Sequence, residues 1–160
     1  MPTKLSLVAV LALVMASTGA SLATADGSDD NGSTQVIRLV SKPVQETELD
    51  LGDKGFGPGD QFVFADDLFR DGKKVGQDGG SCTVVRLDAA APTVNCAATL
   101  SLPKGQVTVQ GLVTFAGEPE DPEPFVVAIT GGTGAYRTAG GELEVDEEPD
   151  HDNLTLRLIL

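Results

Sequence analysis

Apolar and polar residues alternate along most of the sequence beyond residue 34. In the segment QVTVQGLVTFAG, the apolar side chains on one face are Val107, Val109, Val113 and Phe115. In the C-terminal segment they are Leu154, Leu156, Leu158 and Leu160. A period of two is typical of β-strands with one buried face, and apolar residues at helical spacing are absent. The pattern therefore predicts an all-β protein.

Eight strand-like segments are separated by turn-rich stretches such as GDKGFGPG, RDGK and LPKG. They span residues 35–48, 60–69, 73–88, 92–102, 105–116, 124–130, 140–147 and 153–160. Eight antiparallel strands with short connections can close into a barrel that has no free edge. The interior of such a barrel is either filled by side chains or wide enough for one small ligand. We predict an eight-stranded antiparallel β-barrel over residues 35–160.

The first 25 residues predict a secretory signal peptide. A basic start at Lys4 precedes an apolar run over residues 5–15, and small residues place the cleavage after Ala25. An uncleaved anchor helix is the disfavoured alternative, because the apolar run is short for a bilayer. Residues 26–34, DGSDDNGST, are polar, acidic and rich in glycine, which predicts a disordered acidic leader. A calcium loop is the disfavoured alternative, because the spacing of the acids does not fit one. We expect a secreted protein with no membrane span in its mature form.

The chain is strongly acidic, with 24 Asp and Glu against 11 Lys and Arg and a net charge of −13. Loss of a signal peptide whose only charge is Lys4 changes −13 to −14. Such a surface repels phosphate backbones and anionic lipid heads, so we expect no nucleic acid as a partner. The chain also has no Trp and one Tyr, which leaves few side chains on which bases or sugars could stack.

Two cysteines, Cys82 and Cys96, lie symmetrically about Ala89 in CTVVRLDAAAPTVNC. If DAAAP forms a hairpin turn, the cysteines fall opposite each other on neighbouring strands, close enough to bond after modest adjustment. In an exported chain this favours one disulfide over two free thiols. By loop entropy, a bond that closes a ring of this size contributes about 3 kcal/mol.

The glycine-rich stretch ITGGTGAYRTAGGELEV has two interpretations. A phosphate loop needs a helix directly after its glycines and a Lys-Ser/Thr pair, whereas this stretch returns to strand-type residues. We therefore interpret Gly131, Gly132 and Gly134 as structural turn residues that supply positive φ angles and tight packing at a corner of the barrel.

The segment AITGGTGAYRTAGGELEV resembles the GGTGxFRxARG segment of dirigent proteins and the AITGGSG segment of plant allene oxide cyclases. Upstream, GDQFVFADDLFRDGKKVGQDGGSCTVV is similar to the second and third strands of the same families, and GQVTVQG to the ISVQG strand of the cyclases. The resemblance covers about residues 59–145 and extends to secreted bacterial allene oxide cyclase barrel-like proteins. It implies an eight-stranded antiparallel barrel that is often trimeric.

A trimer would also explain the first predicted strand, which is apolar on both faces at Val36, Ile37, Leu39 and Val40. A strand of this kind is typical of a barrel whose outer face is covered, here by a neighbouring subunit. We therefore expect a homotrimer.

The family resemblance implies a set of side chains that point into the barrel: Arg38, Phe62, Phe64, Asp66, Cys82, Val84, Val109 and Val113. Aligned with the cyclases, only Cys82 matches a pocket residue in type, whereas Arg38, Val40 and Val113 stand where the cyclases have Glu, Asn and Tyr. Aligned with dirigent proteins, Asp66 matches the first Asp of an acidic pair. Arg137 matches their first segment Arg, and Gly140 replaces the second.

Asp66 and Arg38 are the candidate catalytic residues. In this alignment they pair inside the barrel, where Asp66 would act as acid, base or hydrogen-bond acceptor. Arg38 would orient Asp66 or bind an oxygen atom of the ligand. The alternative is a structural ion pair at the mouth of the barrel.

His151 is the sole His and has no Ser or Cys partner by spacing, so neither a hydrolytic triad nor a His-built metal site is predicted. The acids at residues 118–123 and 146–152 predict solvated charged loops rather than calcium sites. We expect no metal and no cofactor.

Two functions fit these residues. The first is a secreted barrel that binds or guides a small apolar molecule in its interior, with no assured turnover. The second is a cofactor-free isomerase or cyclase, or a dirigent-like guide, for a reactive lipid, polyketide or phenolic compound. Chemistry of the second kind needs little more than an apolar pocket that holds a near-attack conformer. An open cavity that carries Asp66 and Arg38 would favour the second function.

Overall fold

The computed structural model describes residues 33–52, 54–88, 91–115 and 123–160. The predicted signal peptide lies outside the described residues, as does the predicted leader except for Ser33 and Thr34. Over the described part of the chain, the structure contains no helix with the length and apolar character needed to cross a membrane.

Eight strands follow one another in chain order: β1 (Thr34–Leu49), β2 (Gln61–Arg70), β3 (Lys73–Leu87), β4 (Pro92–Leu102), β5 (Gly105–Thr114), β6 (Phe125–Gly132), β7 (Gly140–Glu148) and β8 (His151–Ile159). Each strand pairs antiparallel with the next, and β8 pairs with β1 to close the barrel. The predicted eight-stranded antiparallel barrel is confirmed, and every predicted strand boundary lies within two residues of the observed one.

A bulge in β1 changes which of its side chains face inward. The pairing of β1 with β2 is irregular between Pro43 and Gln45, where proline has no N–H to donate to the ladder. Val44 is exposed at the bulge, whereas Pro43 and Glu46 both line the barrel interior. The bulge thus accommodates a proline inside a long strand and directs a carboxylate inward.

Aliphatic side chains fill one end of the barrel, where β2 turns into β3 and β4 into β5. Leu68, Val107, Leu156 and Leu158 are all 0% exposed, and we call these four residues the aliphatic plug. Tyr136 is also buried and lies at the same end, in the 3₁₀ helix Gly134–Tyr136 between β6 and β7. Burial of such side chains supplies most of the driving force for closing the barrel.

The glycines between β6 and β7 occupy positions that a larger residue could not. Gly131 and Gly134 have φ angles of +152° and +60°. A Cβ on Gly132 would collide with the carbonyl oxygen of Gln106, and one on Gly134 with that of Lys104. The glycines lead into a three-residue 3₁₀ helix and not into an α-helix. These angles and contacts agree with the predicted turn role.

The predicted disulfide is present. Cys82 on β3 and Cys96 on β4 are directly opposite in the strand register, and their Cα atoms are 4.0 Å apart. Since the bond joins neighbouring strands across the β3–β4 hairpin, it constrains the unfolded chain more than the folded sheet.

Candidate functional site

A cavity of about 530 Å³ occupies the barrel at the end opposite the aliphatic plug. Its volume is within the range of sites that bind small organic molecules. Five phenylalanine rings from β2, β6 and the connections form part of its wall: Phe56, Phe62, Phe64, Phe115 and Phe125. The rings of Phe115 and Phe125 meet edge to face, with their centroids 6.0 Å apart. The cavity is therefore open space with an aromatic wall rather than a filled core.

Four carboxyl side chains enter the cavity from four strands: Asp66 on β2, Asp78 on β3, Glu147 on β7 and Asp152 on β8. We call these four residues the acid cluster. Buried Ser41 on β1 lies beside them and donates its Oγ–H to Oδ2 of Asp66 at 3.2 Å. Strand alternation directs Asp66, Glu147 and Asp152 inward, because each lies on the same face as an apolar residue two positions away: Phe64, Val145 and Leu154.

A second bulge brings Asp78 into this cluster. Near the β2–β3 turn Phe69 pairs with Lys74, but Leu68 pairs with Gly76, so Val75 is the extra residue. The shift places Asp66 directly opposite Asp78. Directly opposed residues share a face of the sheet, so both carboxyls face the cavity.

Burial and mutual repulsion favour the neutral form of these carboxyls. Burial, followed by the charge of Asp66, raises the pKa of Asp78 from 3.8 to about 7. Burial, followed by the charges of Glu147 and Asp66, raises the pKa of Asp152 to about 6. Burial also raises the pKa of Glu147. It raises the pKa of Asp66 as well, against the opposing hydrogen bond from Ser41. Near neutral pH the acid cluster therefore contains both proton donors and proton acceptors.

No cation within the described cavity wall balances these acids. None of the described residues that line the cavity is Lys, Arg or His, whereas Glu46 adds a fifth carboxyl. Among the described residues, the buried Oδ1 of Asp78 has no hydrogen-bond partner. In the described chain, no group of three or more His, Cys, Asp or Glu side chains is arranged to hold a metal ion. The arrangement can accept a cation or exchange protons with a ligand.

Most of the side chains that sequence reasoning placed in the pocket do face the barrel interior. Asp66, Phe62, Phe64, Cys82 and Val109 line the cavity. Val84 and Val113 are buried in the core but are not part of the cavity wall. Cys96 also lines the cavity, so the disulfide forms part of its surface.

Arg38 does not reach the cavity, and the expected pairing of Arg38 with Asp66 inside the barrel is wrong. Its neighbours Ile37 and Leu39 are buried, so Arg38 points to the outer face and is exposed. A shift of one residue moves every side chain of a strand to the opposite face. Burial of two aliphatic side chains is favourable, whereas burial of a guanidinium is costly, and this decides the orientation of β1.

The acids near the C-terminus were expected to form a solvated loop, and the structure differs. β7 continues to Glu148 and β8 begins at His151, so two residues alone form the turn. Glu147 and Asp152 therefore lie on strands and face the cavity. His151 lies beside the turn, with Nδ1 2.7 Å from Oδ1 of Asp150, and its imidazole lowers the pKa of Asp150.

Residues 43–160 match the family described as the allene oxide cyclase barrel like domain. The chain belongs to this family. The match covers all eight strands except the first part of β1, and with it the whole acid cluster. No curated protein is similar enough to the sequence to be matched.

Solved structures place this allene oxide cyclase-like barrel among proteins of several activities. A pyocyanin demethylase is 34% identical over 77% of this chain and 99% of its own, with a TM-score of 0.66. A Diels-Alderase from Streptomyces koyangensis is 19% identical over 81% of this chain and 71% of its own, with a TM-score of 0.58. A pterocarpan synthase dirigent protein is 16% identical over 78% of this chain and 85% of its own, with a TM-score of 0.57. The last two share the fold with this chain.

Proposed function

We propose that the protein binds a small, flat, aromatic molecule that carries a positive charge or a basic ring nitrogen. The observation that carries this proposal is the composition of the cavity, whose mainly apolar wall includes five phenylalanine rings and five carboxyls without a Lys, Arg or His among its described residues. This refines the expectation of a small apolar ligand. The barrel supplies the apolar contacts, and the acids select the charge.

The phenylalanine rings favour a flat aromatic ligand. Aromatic groups stack or meet edge to face with ring centroids about 4.5–7 Å apart, and a cation over a ring face gains further attraction. Phe62 and Phe64 on β2 and Phe125 on β6 offer such surfaces from different sides of the cavity. A ligand of two or three fused rings would fill a space of about 530 Å³ and contact several of them.

The acid cluster favours a cation and disfavours an anion. Burial and, after it, the charge of Asp66 hold a proton on Asp78, and a positive charge nearby offsets both effects. A ligand carboxylate would increase that repulsion in a site of low dielectric constant. This argues against a fatty acid as the ligand, and so against the lipid form of the isomerase or cyclase alternative.

Turnover is a second candidate function, and the similarity to a pyocyanin demethylase favours it. Pyocyanin is an N-methylated phenazine, which is a flat aromatic molecule of the kind proposed. Loss of the N-methyl group as formaldehyde balances with water alone. The methyl carbon is oxidised by two electrons, the phenazine ring of the same molecule is reduced by two electrons to its dihydro form, and water supplies the oxygen of formaldehyde, so the step needs proton transfers at the ring and at the methyl carbon. Asp78, whose pKa is about 7, exchanges a proton near neutral pH, and Asp66 lies directly opposite it as a hydrogen-bonding partner. The cyclase alternative is supported by the similarity in fold to a Diels-Alderase.

The test of binding uses one ring system in three charge states: N-methylphenazinium, phenazine and phenazine-1-carboxylate. Titration calorimetry near pH 8 should show that the cation binds at least about tenfold more tightly than the anion, because a carboxylate within a few ångströms attracts one and repels the other. An anion that binds as tightly as the cation would refute the role of the acid cluster.

Two matched variants test whether the preference for the cation over the anion arises in the cavity. Asp66→Asn should reduce the preference for the cation, because Asn keeps the shape of the side chain and removes its charge. Glu142→Gln removes a carboxyl from the exposed outer face of β7 and should leave the preference unchanged. Equal losses in both variants would indicate a general effect of net charge rather than a site.

Turnover is tested by incubating pyocyanin with the protein both in the absence of air and in air. Mass spectrometry would detect the phenazine product that has lost the methyl group, and a chemical trap would detect formaldehyde. Asp66→Asn and Asp78→Asn should remove product formation, whereas Glu142→Gln should not. Pyocyanin that binds and is recovered unchanged would exclude the demethylase candidate and leave the binding function in place.

We further propose that the protein is secreted and forms a homotrimer. The disulfide is consistent with an oxidising compartment. Val36, Leu112 and Val126 lie on the outer barrel surface and are about half exposed or more, which supports coverage by another subunit. Light scattering of the protein from the culture medium should give three times the mass of the chain cleaved after Ala25. A monomer would contradict the trimer, and a retained signal peptide would contradict secretion.

A further inference from the structure

The connection between β1 and β2 carries an aromatic ring to the mouth of the cavity. Phe56 lines the cavity and is 51% exposed. Its ring centroid lies 6.0 Å from that of Phe62, with 54° between the ring planes. Phe56 is flanked by Gly55, with a φ angle of +95°, and by Gly57. Glycine on both sides leaves the local backbone free to turn, so something else holds this ring in place.

The carboxylate of Asp60 provides that restraint. Asp60 is 5% exposed, and both of its oxygens accept hydrogen bonds from backbone amides. Oδ2 accepts from Gly57 N–H at 2.7 Å, directly after Phe56, and Oδ1 accepts from Leu51 N–H at 2.8 Å, two residues beyond the end of β1. One buried carboxylate therefore joins the two sides of the connection.

Asp60 is in turn fixed to the barrel wall. The amide of Val84 on β3 donates to the carbonyl of Asp60 at 2.9 Å, and the amide of Gly59 donates to the carbonyl of Val84 at 2.8 Å. Val84 is a fully buried core residue. A continuous set of hydrogen bonds thus runs from the core through Asp60 to the backbone beside Phe56.

We propose that Asp60 is a positioning residue, which holds Phe56 over the mouth of the cavity so that the ring contacts the bound ligand and sets the affinity for flat aromatic molecules. Asp60 itself does not line the cavity, so it acts through Phe56. The ligand contact rests on the proposed binding function, whereas the positioning of Phe56 by Asp60 does not.

The positioning is measured without a ligand by placing a single tryptophan at the mouth. Because the chain has no Trp, Phe56→Trp gives a unique fluorescent reporter. Adding Asp60→Asn should shift the emission to the red and increase quenching by acrylamide, since the Asn side chain has one carbonyl oxygen for the two amides. Unchanged emission and quenching would overturn the proposal.

Asp50→Asn is the matched control. Oδ2 of Asp50 accepts from Gly55 N–H, in the same connection, but at 3.3 Å and in an exposed position. This variant should leave the emission of the Phe56→Trp reporter unchanged. If Asp60→Asn fails to fold, Gly57→Pro removes the N–H donor to Oδ2 and leaves the buried carboxylate in place, with the same result expected.

The contact with the ligand is measured by a double-mutant cycle with two probes, neutral N-phenyl-1-naphthylamine and cationic N-methylphenazinium. Phe56→Ala should weaken binding about three- to tenfold, the value of one aromatic contact. Asp60→Asn should weaken it by a similar factor, and the double variant should be no weaker than Phe56→Ala alone. Losses that multiply would show that Asp60 acts independently of Phe56, and would overturn the proposal.

The two experiments separate this inference from the proposed function. A wild-type protein that binds neither probe would contradict the proposed function and the ligand contact together. The fluorescence of the Phe56→Trp reporter would still decide whether Asp60 positions the mouth.

Discussion

Replacement of Asp78 by Asn is expected to stabilise the barrel by an amount that grows as the pH rises from about 4 to about 7. Asp78 lies in the acid cluster opposite Asp66, and burial raises its pKa to about 7. In the unfolded chain the same group has its ordinary pKa of 3.8. Between these values the folded protein holds a proton that the unfolded chain releases. The stability of the wild-type protein therefore falls as the pH rises through this window.

The size of the effect follows from the two pKa values. A pKa that differs between 3.8 and about 7 corresponds to up to about 4 kcal/mol of destabilisation once Asp78 has lost its proton. Asn carries no charge at any pH, so this cost is absent in the variant. Asp78→Asn should match the wild type near pH 4 and exceed its stability by up to about 4 kcal/mol near pH 8.

The assay is urea unfolding followed by circular dichroism, at fixed protein concentration, from pH 4 to 8.5. Fluorescence is a poor probe, because the chain has no Trp. Glu142→Gln is the control, since its carboxyl lies exposed on the outer face and its pH profile should run parallel to that of the wild type. The reasoning is refuted if the Asp78→Asn profile is also parallel, or if this variant is the less stable protein at pH 8.

Three further predictions concern other parts of the barrel. The affinity for N-methylphenazinium, measured by calorimetry, should rise from pH 5 to pH 8, because Asp152 and Asp78 lose their protons near pH 6 and 7 and attract the cation as anions. An affinity that does not change with pH would contradict a contact between the cation and these two carboxyls. Replacing both Cys82 and Cys96 by Ser should lower the unfolding free energy by about 3 kcal/mol in urea titrations, and an unchanged midpoint would contradict the constraint. Arg38→Ala should leave the affinity for N-methylphenazinium unchanged and the unfolding free energy within about 0.5 kcal/mol of the wild-type value, because the side chain is exposed on the outer face. A loss of binding in this variant would show that Arg38 does contribute to the site.

The barrel itself could be predicted from the sequence because its signals are local. Alternation along β5 and β8 identifies the inward face, and short turn-rich stretches mark where each strand ends. Cys82 and Cys96 were placed opposite each other by counting from a single hairpin turn. Antiparallel neighbours in chain order need no long-range information about which strand pairs with which.

The orientation of β1 could not be predicted in the same way. Val36, Ile37, Leu39 and Val40 place apolar residues on both faces, so alternation does not say which face is inside. The alignment to allene oxide cyclases and dirigent proteins puts β1 one residue out of register and therefore predicts, wrongly, that Arg38 points into the barrel. The structure resolves the ambiguity through burial of Ile37 and Leu39.

The acid cluster was missed because it depends on a bulge and on a tight turn. Without the extra residue Val75, Asp66 would oppose Gln77, which is exposed in the structure, instead of Asp78. Bulges of this kind leave no clear mark on the hydrophobic pattern. Glu147 and Asp152 lie in a run of acids that is typical of a solvated loop. In the structure Glu148 pairs with His151, so the turn between β7 and β8 has two residues and the acids on either side belong to the strands.

A crystal structure of the protein grown with N-methylphenazinium tests the central claim most directly. The account predicts electron density for the three fused rings inside the cavity, between Phe62 and Phe125, with the charged nitrogen directed towards Asp66 and Asp78. Density confined to the outer surface, or a cavity that remains empty at saturating ligand, would contradict it.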